Sequence, residues 1–465
     1  MARWTPDPSF YPSPRMAMEA PPETFAYVAM VEPDQSSRSD ALGVVDLEQG
    51  SSTYGEVIST LELGEPGAEL HHFGWNACSA ALCPSSPHPH VERRYLLVPG
   101  LHSSDIHVVD TKDDPRAPTL ERTIPAAEIR HRTGYSRPHT THCGPDAIYM
   151  SALGNGNGDG GGPGGLFLLD CDSFEPLGAW EVDRGPQYYG YDFWWHLGYD
   201  TVITSEWGTP DMFEHGVVPE KLLGREYGHK LHVWDLRKRR HVQELDLGDE
   251  HQMVLELRPA HDPRRTYGFA GVVVSVEDLS ASIWTWYRDG DGWAVKKTIT
   301  IPAEPAEAEE LPPLLAGFGA VPPLVTDINL SLDDRFLYVS AWGTGDFLQY
   351  DVTDPLAPVL KSKVRLGGIV SRAPHPKTGP LGGGPQMVEL SRDGKRAYVS
   401  NGLYTTWDTQ FYPGGFDGWI AKLDVTEEAG LELDPELFVT NFDGRRPHQI
   451  RLEGGDASSD SYCFP

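Results

Sequence analysis

Five histidines offer the most chemistry in this sequence. His71 and His72 stand side by side in "ELHHFGWNACSAALC" (Glu69–Cys83), His139 and His142 share "RPHTTHC", and His448 lies in "RPHQIRLEGGD". Imidazole is the commonest borderline ligand for copper, zinc, iron and nickel, so a metal site is one reading. A wet channel of hydrogen-bonded histidines is the other. Adjacent strand residues point to opposite faces, so His71 and His72 share one ion only near a strand end, and the same limit holds for His139 and His142. Cys78 follows the histidine pair closely. A thiol beside metal-bound or cationic imidazole acts as a thiolate, whereas a lone buried cysteine is inert. Cys143 abuts His142 and could face the same site, while Cys83 falls in a proline-rich loop.

These residues recur at corresponding places in a repeat. "RFLYVSAWGTGDFLQYDVTDPLAPVLKSKV" (Arg335–Val364) matches "RYLLVPGLHSSDIHVVDTKDDPRAPTLERTI" (Arg94–Ile124) in pattern. Each has a β-rich run, a Gly/Ser/Asp turn, a run ending in Asp, a D-P turn and a third alternating run. Weaker copies bring the total to seven. A shorter segment precedes each unit: "ELHHF", "RPHTT", "GYDFW", "VLELR", "VTDIN", "GPQMV" and "RPHQI". Their third column is His71, His139, Asp192, Glu256, Asp327, Gln386 and His448, polar throughout among mostly apolar neighbours. The spacing is roughly 60 residues, longer than common propeller repeats, with the excess in loops such as Gly154–Gly165 and Glu304–Pro313.

Four strands repeated seven times predict an all-β, seven-bladed β-propeller, with the polar column lining its axis. The C-terminal "RPHQI" supplies the inner strand of the first blade and closes the ring, which removes sheet edges. Residues 1–25 read as an N-terminal arm and 26–465 as one propeller domain. Two or three separate β domains are the alternative, and the regular stack speaks against them. Asp192, Glu256, Asp327 and Gln386 are expected in the channel, either orienting the histidines or anchoring strand ends.

A net charge of −30 repels phosphate backbones and anionic lipid, so nucleic acid and membranes are discounted as partners. The opening "MARWTPDPSFYPSPRMAMEAPP" has no apolar core of a signal peptide, which sets the expectation of a cytoplasmic protein. Five cysteines without a C-x-x-C pair read as no disulfide framework, with Cys171 and Cys463 incidental. "GNGNGDGGGPGG" lacks the G-K-[ST] of a phosphate cradle, "AEPAEAEELPP" is a solvated acidic loop, and His88–His90 reads as surface. No serine nucleophile elbow or dinucleotide fingerprint is present.

The stretches "ELHHFGWNACS", "HTTHC", "YGYDFWW", "SEWGTPD", "GGGPQMVELSRDGKRAYVSN", "WDTQFYP" and "GGDASSD" resemble the selenium-binding protein family, whose enzymatic members are methanethiol oxidases. The resemblance runs from about Ala20 to Asp460. It implies a seven-bladed propeller and a copper-dependent reaction. In that reaction methanethiol, oxygen and water become formaldehyde, hydrogen sulfide and hydrogen peroxide. It also implies copper ligands among His71, His72, His139, His142 and His448, and associates selenium binding with Cys78. Cys78 would then either act in catalysis or, in the alternative reading, carry selenium or sulfur without turnover. Where the family pattern reads C-S-S-C this chain has "CSAALC", so the resemblance gives Cys83 no paired role. A scaffold propeller and a calcium-dependent hydrolase are further rivals; the latter needs a carboxylate-rich site. The oligomeric state is not readable.

Overall fold

The computed structural model describes residues 5–144, 146–428 and 430–465. Seven four-stranded antiparallel sheets form the blades of a propeller. Blades two to seven begin with inner strands Gly74–Trp75, Tyr135–Cys143, Phe193–His196, His251–Pro259, Val325–Leu330 and Val388–Leu390. The first blade takes its inner strand from the other end of the chain. Arg446–Leu452 pairs antiparallel with Phe25–Val31, in the register Ala26↔Leu452 and Val28↔Ile450. Ring closure through "RPHQI" is thus as the repeat predicts.

Packing between blades is apolar. Phe269, Ile283, Ile328 and Val339 meet between blades five and six, and Tyr27, Val44, Trp75 and Val98 between blades one and two. The inner strands are also tied by hydrogen bonds from one blade to the next. Leu257 N donates to Asp192 Oδ2 and Val388 N to Asp327 Oδ2, both at 2.8 Å. Asp192 and Asp327 therefore anchor strands, one of the two roles expected of them.

The N-terminal residues lie against the ring: Phe10 and Ala17 are buried, and Asp7 Oδ2 accepts from Arg93 N at 2.9 Å. The C-terminal segment crosses the face where the inner strands end. Asp460 pairs with Arg93 and Arg392, and Trp195 Nε1 donates to Ser461 Oγ at 2.6 Å. Among the described residues no helix is long and apolar enough to cross a membrane.

The cysteines correct the expectation of no disulfides. Cys78 pairs with Cys143 and Cys83 with Cys463, at Cα separations of 5.9 and 5.6 Å, and Cys171 is buried and unpaired. The partners are 65 and 380 residues apart in sequence, and the closed ring is what makes them neighbours. These separations are ordinary for disulfides. Cys463 is therefore not incidental, and Cys83 has a partner outside its own loop.

Candidate metal centre

Alternation along a strand would send His71 and His72 to opposite faces, but the inner strands do not alternate at this point. Between the pairs Leu70↔Gly100 and Gly74↔Leu97, blade two's inner segment holds His71, His72 and Phe73 against only Val98 and Pro99. The same bulge recurs around the ring. Register shifts fall between Pro138 and Thr141, which bracket His139, and between Val254 and Leu257, which bracket Glu256. Another falls between Val325 and Asp327, and in the closing strand the shift spans Pro447 to Ile450, around His448. One extra residue per strand releases side chains from the pleat and turns them towards the axis.

The segment carrying His71 and His72 is clamped on both sides. Leu70 N donates to Asp40 Oδ2 at 2.8 Å, Phe73 N to Gln449 Oε1 at 2.5 Å, and Arg451 Nε to Phe73 O at 3.0 Å. Gly74 follows because there is no room for a side chain. A Cβ there would stand 2.4 Å from Thr141 O of blade three.

Four histidine rings gather in the space so made. His71 lies 3.8 Å from His448 and 5.1 Å from His139 between ring centres, and His72 lies 4.0 Å from His139. His71, His72 and His448 each offer a ring nitrogen within 4.8 Å of the others, all buried. His448 Nδ1 donates to Gly402 O at 2.8 Å, which leaves its Nε2 as a free lone pair. His139 Nδ1 approaches Thr140 Oγ1 at 3.1 Å. Nδ1 of His71 and Nε2 of His72, His139 and His448 have no hydrogen-bond partner among the described residues. Burial first, then mutual repulsion, holds His71, His72 and His139 well below the usual histidine range; burial takes His448 to about 3. Neutral imidazoles with orphaned, convergent nitrogens are a donor set for a borderline cation such as copper or zinc. Buried polar nitrogens left without partners are otherwise costly.

His142 is not brought to this group. Its ring lies 4.0 Å from that of Trp194, and its Nε2 stands 3.9 Å from Asp192 Oδ1. Cys78 is buried at the start of a short 3₁₀ turn, Ser79–Leu82, in its disulfide with Cys143, the residue after His142. Gln386 is buried with its Oε1 unpartnered among the described residues, and its backbone carbonyl accepts from Thr326 Oγ1 at 3.2 Å. His88 and His90 sit at the surface near Asp172.

Below the histidines lies a layer of buried charge. Arg258 reaches Glu256 at 3.1 Å, Asp327 at 3.2 Å and Asp192 at 3.5 Å. Arg451 reaches Glu389 and Ser458 Oγ, each at 2.6 Å. Burial drives Asp192, Glu256 and Asp327 upward despite Arg258, and Glu389 to about 7. Arg258, Glu389 and Arg451 escaped the sequence reading, although a signal existed. Two or three residues beyond the polar column, the same segments hold a second polar row of His142, Arg258, Asn329, Glu389 and Arg451. Tyr404 had no such signal. It comes from the loop before helix Thr405–Phe411, puts its ring 5.6 Å from His71, and hydrogen-bonds His102 Nε2.

Comparison with known proteins agrees with this architecture. Over 97% of both chains, the sequence is 39% identical to a methanethiol oxidase of Xenopus laevis. It is 38% identical to selenium-binding protein 3 of Arabidopsis thaliana, over 97% of this chain and 96% of that one. The crystal structure of a hypothetical selenium-binding protein from Sulfolobus tokodaii superposes with a TM-score of 0.95 at 54% identity, covering 99% of this chain and all of that one. The profile of the 56 kDa selenium binding protein family matches residues 4–463, and this chain belongs to that family.

Proposed function

We propose that this protein is a copper-dependent methanethiol oxidase, taking methanethiol, O2 and water to formaldehyde, hydrogen sulfide and hydrogen peroxide. One observation carries the reading: four buried, neutral histidines converge with unpartnered ring nitrogens. Relatives sharing nearly the full length of the chain are named methanethiol oxidases. His71, His72 and His448 would hold the ion, with His139 alongside. Copper bound there supplies a site for a thiolate sulfur and a path for electrons from it to O2.

The chain's own residues prepare that chemistry. The Gly402 carbonyl keeps the His448 proton on Nδ1 and so orients its Nε2 lone pair. Glu256 Oε1 stands 3.8 Å from His72 Nε2, the nitrogen offered to the ion, and so sets a carboxylate oxygen beside the place the ion would take. Tyr404 holds a proton at its hydroxyl beside His71, in a hydrogen bond to His102. Trp207, Leu255 and Tyr191 wall the space next to His71 with largely apolar surface.

A second reading, Cys78 as a carrier of selenium or sulfur, draws on relatives named selenium-binding proteins. It requires the Cys78–Cys143 bond to open first. The deciding experiment is metal analysis of protein purified with copper supplied, followed by peroxide and formaldehyde assays on adding methanethiol. Stoichiometric copper with both products supports the oxidase. Metal-free protein without products, but with selenite bound after reduction and lost in Cys78→Ser, would replace it with the carrier.

A further inference from the structure

We propose that an apolar corridor of two chambers leads from the surface to His71, and that Met253, Val273, Leu324 and Trp407 form the neck selecting uncharged, short-chain thiols. The inference rests on the oxidase reading for the identity of the ligand, and on geometry for the corridor.

The inner chamber lies at the end of the axis where the inner strands begin, with His71, Tyr191, Trp207 and Tyr404 in its walls. The outer chamber opens at Leu223 and Phe318, which are 57% and 47% exposed. Its walls come from helix Pro219–Leu223, the loop through Leu314 and Leu315, and helix Thr405–Phe411. Met253, Val273, Leu324 and Trp407 line both chambers, so the two adjoin and these four side chains stand between them. The opposite end of the axis is covered by the C-terminal segment, through Asp460 with Arg93 and Arg392.

The chemistry of the walls selects the traveller. In a protein of net charge −30, neither chamber has an Asp, Glu, Lys or Arg in its lining among the described residues. The hydroxyl of Thr326 is spent on Gln386 O and the indole N–H of Trp407 on Phe213 O. The Trp207 N–H and His71 Nδ1 have no partner among the described residues, and both belong to inner-chamber residues. A carboxylate or sulfonate entering this route would lose its hydration and gain no counter-charge. An alkyl group would gain by leaving water. Val273 lies in the strand Tyr267–Ser275, which carries no bulge of its own, so its size can be changed while that strand keeps its regular backbone.

The test pairs a probe that needs no turnover with a substrate series. Crystals of the full chain under xenon should show xenon at the neck in wild type and none there in Val273→Phe. In solution, kcat/KM for 2-mercaptoethanesulfonate should fall about 100-fold below that for ethanethiol. Val273→Phe should widen the preference for methanethiol over 1-propanethiol about tenfold, and Val273→Ala should narrow it, at equal copper content. Equal use of the charged thiol, parallel changes for all thiols in both variants, or no xenon at the wild-type neck would overturn the corridor. Xenon that follows the substitution, in protein that oxidises no thiol, would sustain the corridor and refute the oxidase reading.

Discussion

His72 Nε2 faces Glu256 Oε1 across 3.8 Å, and neither atom has a hydrogen-bond partner among the described residues. The two come from blades two and five, so only the closed ring brings them together. The His72 nitrogen is among those offered to the ion, so Glu256 sets a carboxylate beside the metal position rather than behind the ring, and losing such a neighbour typically costs 10–100-fold in metal affinity. Glu256→Gln should therefore weaken copper retention by about that factor while leaving the fold intact. Equilibrium dialysis against a copper chelator measures it; unchanged affinity would leave Glu256 as a partner of Arg258 alone.

The placement of the histidines separates ligands from neighbours. His71→Ala with His448→Ala should remove copper and oxidase activity together. His142→Phe, which keeps an aromatic ring against Trp194, should retain a full copper equivalent. Metal analysis of the three proteins is sufficient, and a copper-free double mutant with full activity would end the copper reading.

Gly74 predicts a packing cost. Gly74→Val would force a side chain against Thr141 O, where a Cβ already stands 2.4 Å away. Separating the inner strands of blades two and three should cost about 1–3 kcal/mol in urea unfolding and loosen the centre with it.

The Cys78–Cys143 bond closes a loop of 65 residues, for which chain entropy gives about 4 kcal/mol. In a chain of this size that corresponds to a fall in Tm of about 4 °C in a Cys78→Ser/Cys143→Ser variant, and reduction, which also opens Cys83–Cys463, should lower Tm further. Scanning calorimetry of the variant beside the oxidised and the reduced wild type checks it. Non-reducing peptide mapping should recover both pairs.

The buried histidines set a pH dependence. Burial depresses all five, His448 to about 3, while the unfolded chain titrates near 6.5. The stability they confer is fully present above about pH 6.5 and lost as pH falls towards the folded values, because the unfolded chain binds protons that the fold refuses. Metal-free protein should thus lose urea resistance between about pH 6.5 and pH 4, and His142→Phe should flatten that loss. An identical slope in the variant would show that His142 titrates normally in the fold.

What the sequence determined by itself is whatever depends on neighbours along the chain. Strand alternation, D-P turns and the seven-fold stack made the propeller legible, along with its polar column and closure by "RPHQI". His71, His139 and His448 stood out because an axial position repeats once per blade. The tertiary structure decided what depends on contacts between blades. Bulges, where each inner strand pairs with the second strand of its blade, bring His72 into the group that alternation would deny it. The disulfides join residues 65 and 380 apart, distances over which spacing carries no signal. Arg258 finds Asp192 and Asp327, and Arg451 finds Glu389, on other blades, and Met253 of an inner strand meets the Tyr404–Trp407 segment at the mouth of the axis. Local preferences act over a few residues and are written in order. A site on the axis of a ring takes one or two residues from each blade, and closing the ring is what makes them neighbours.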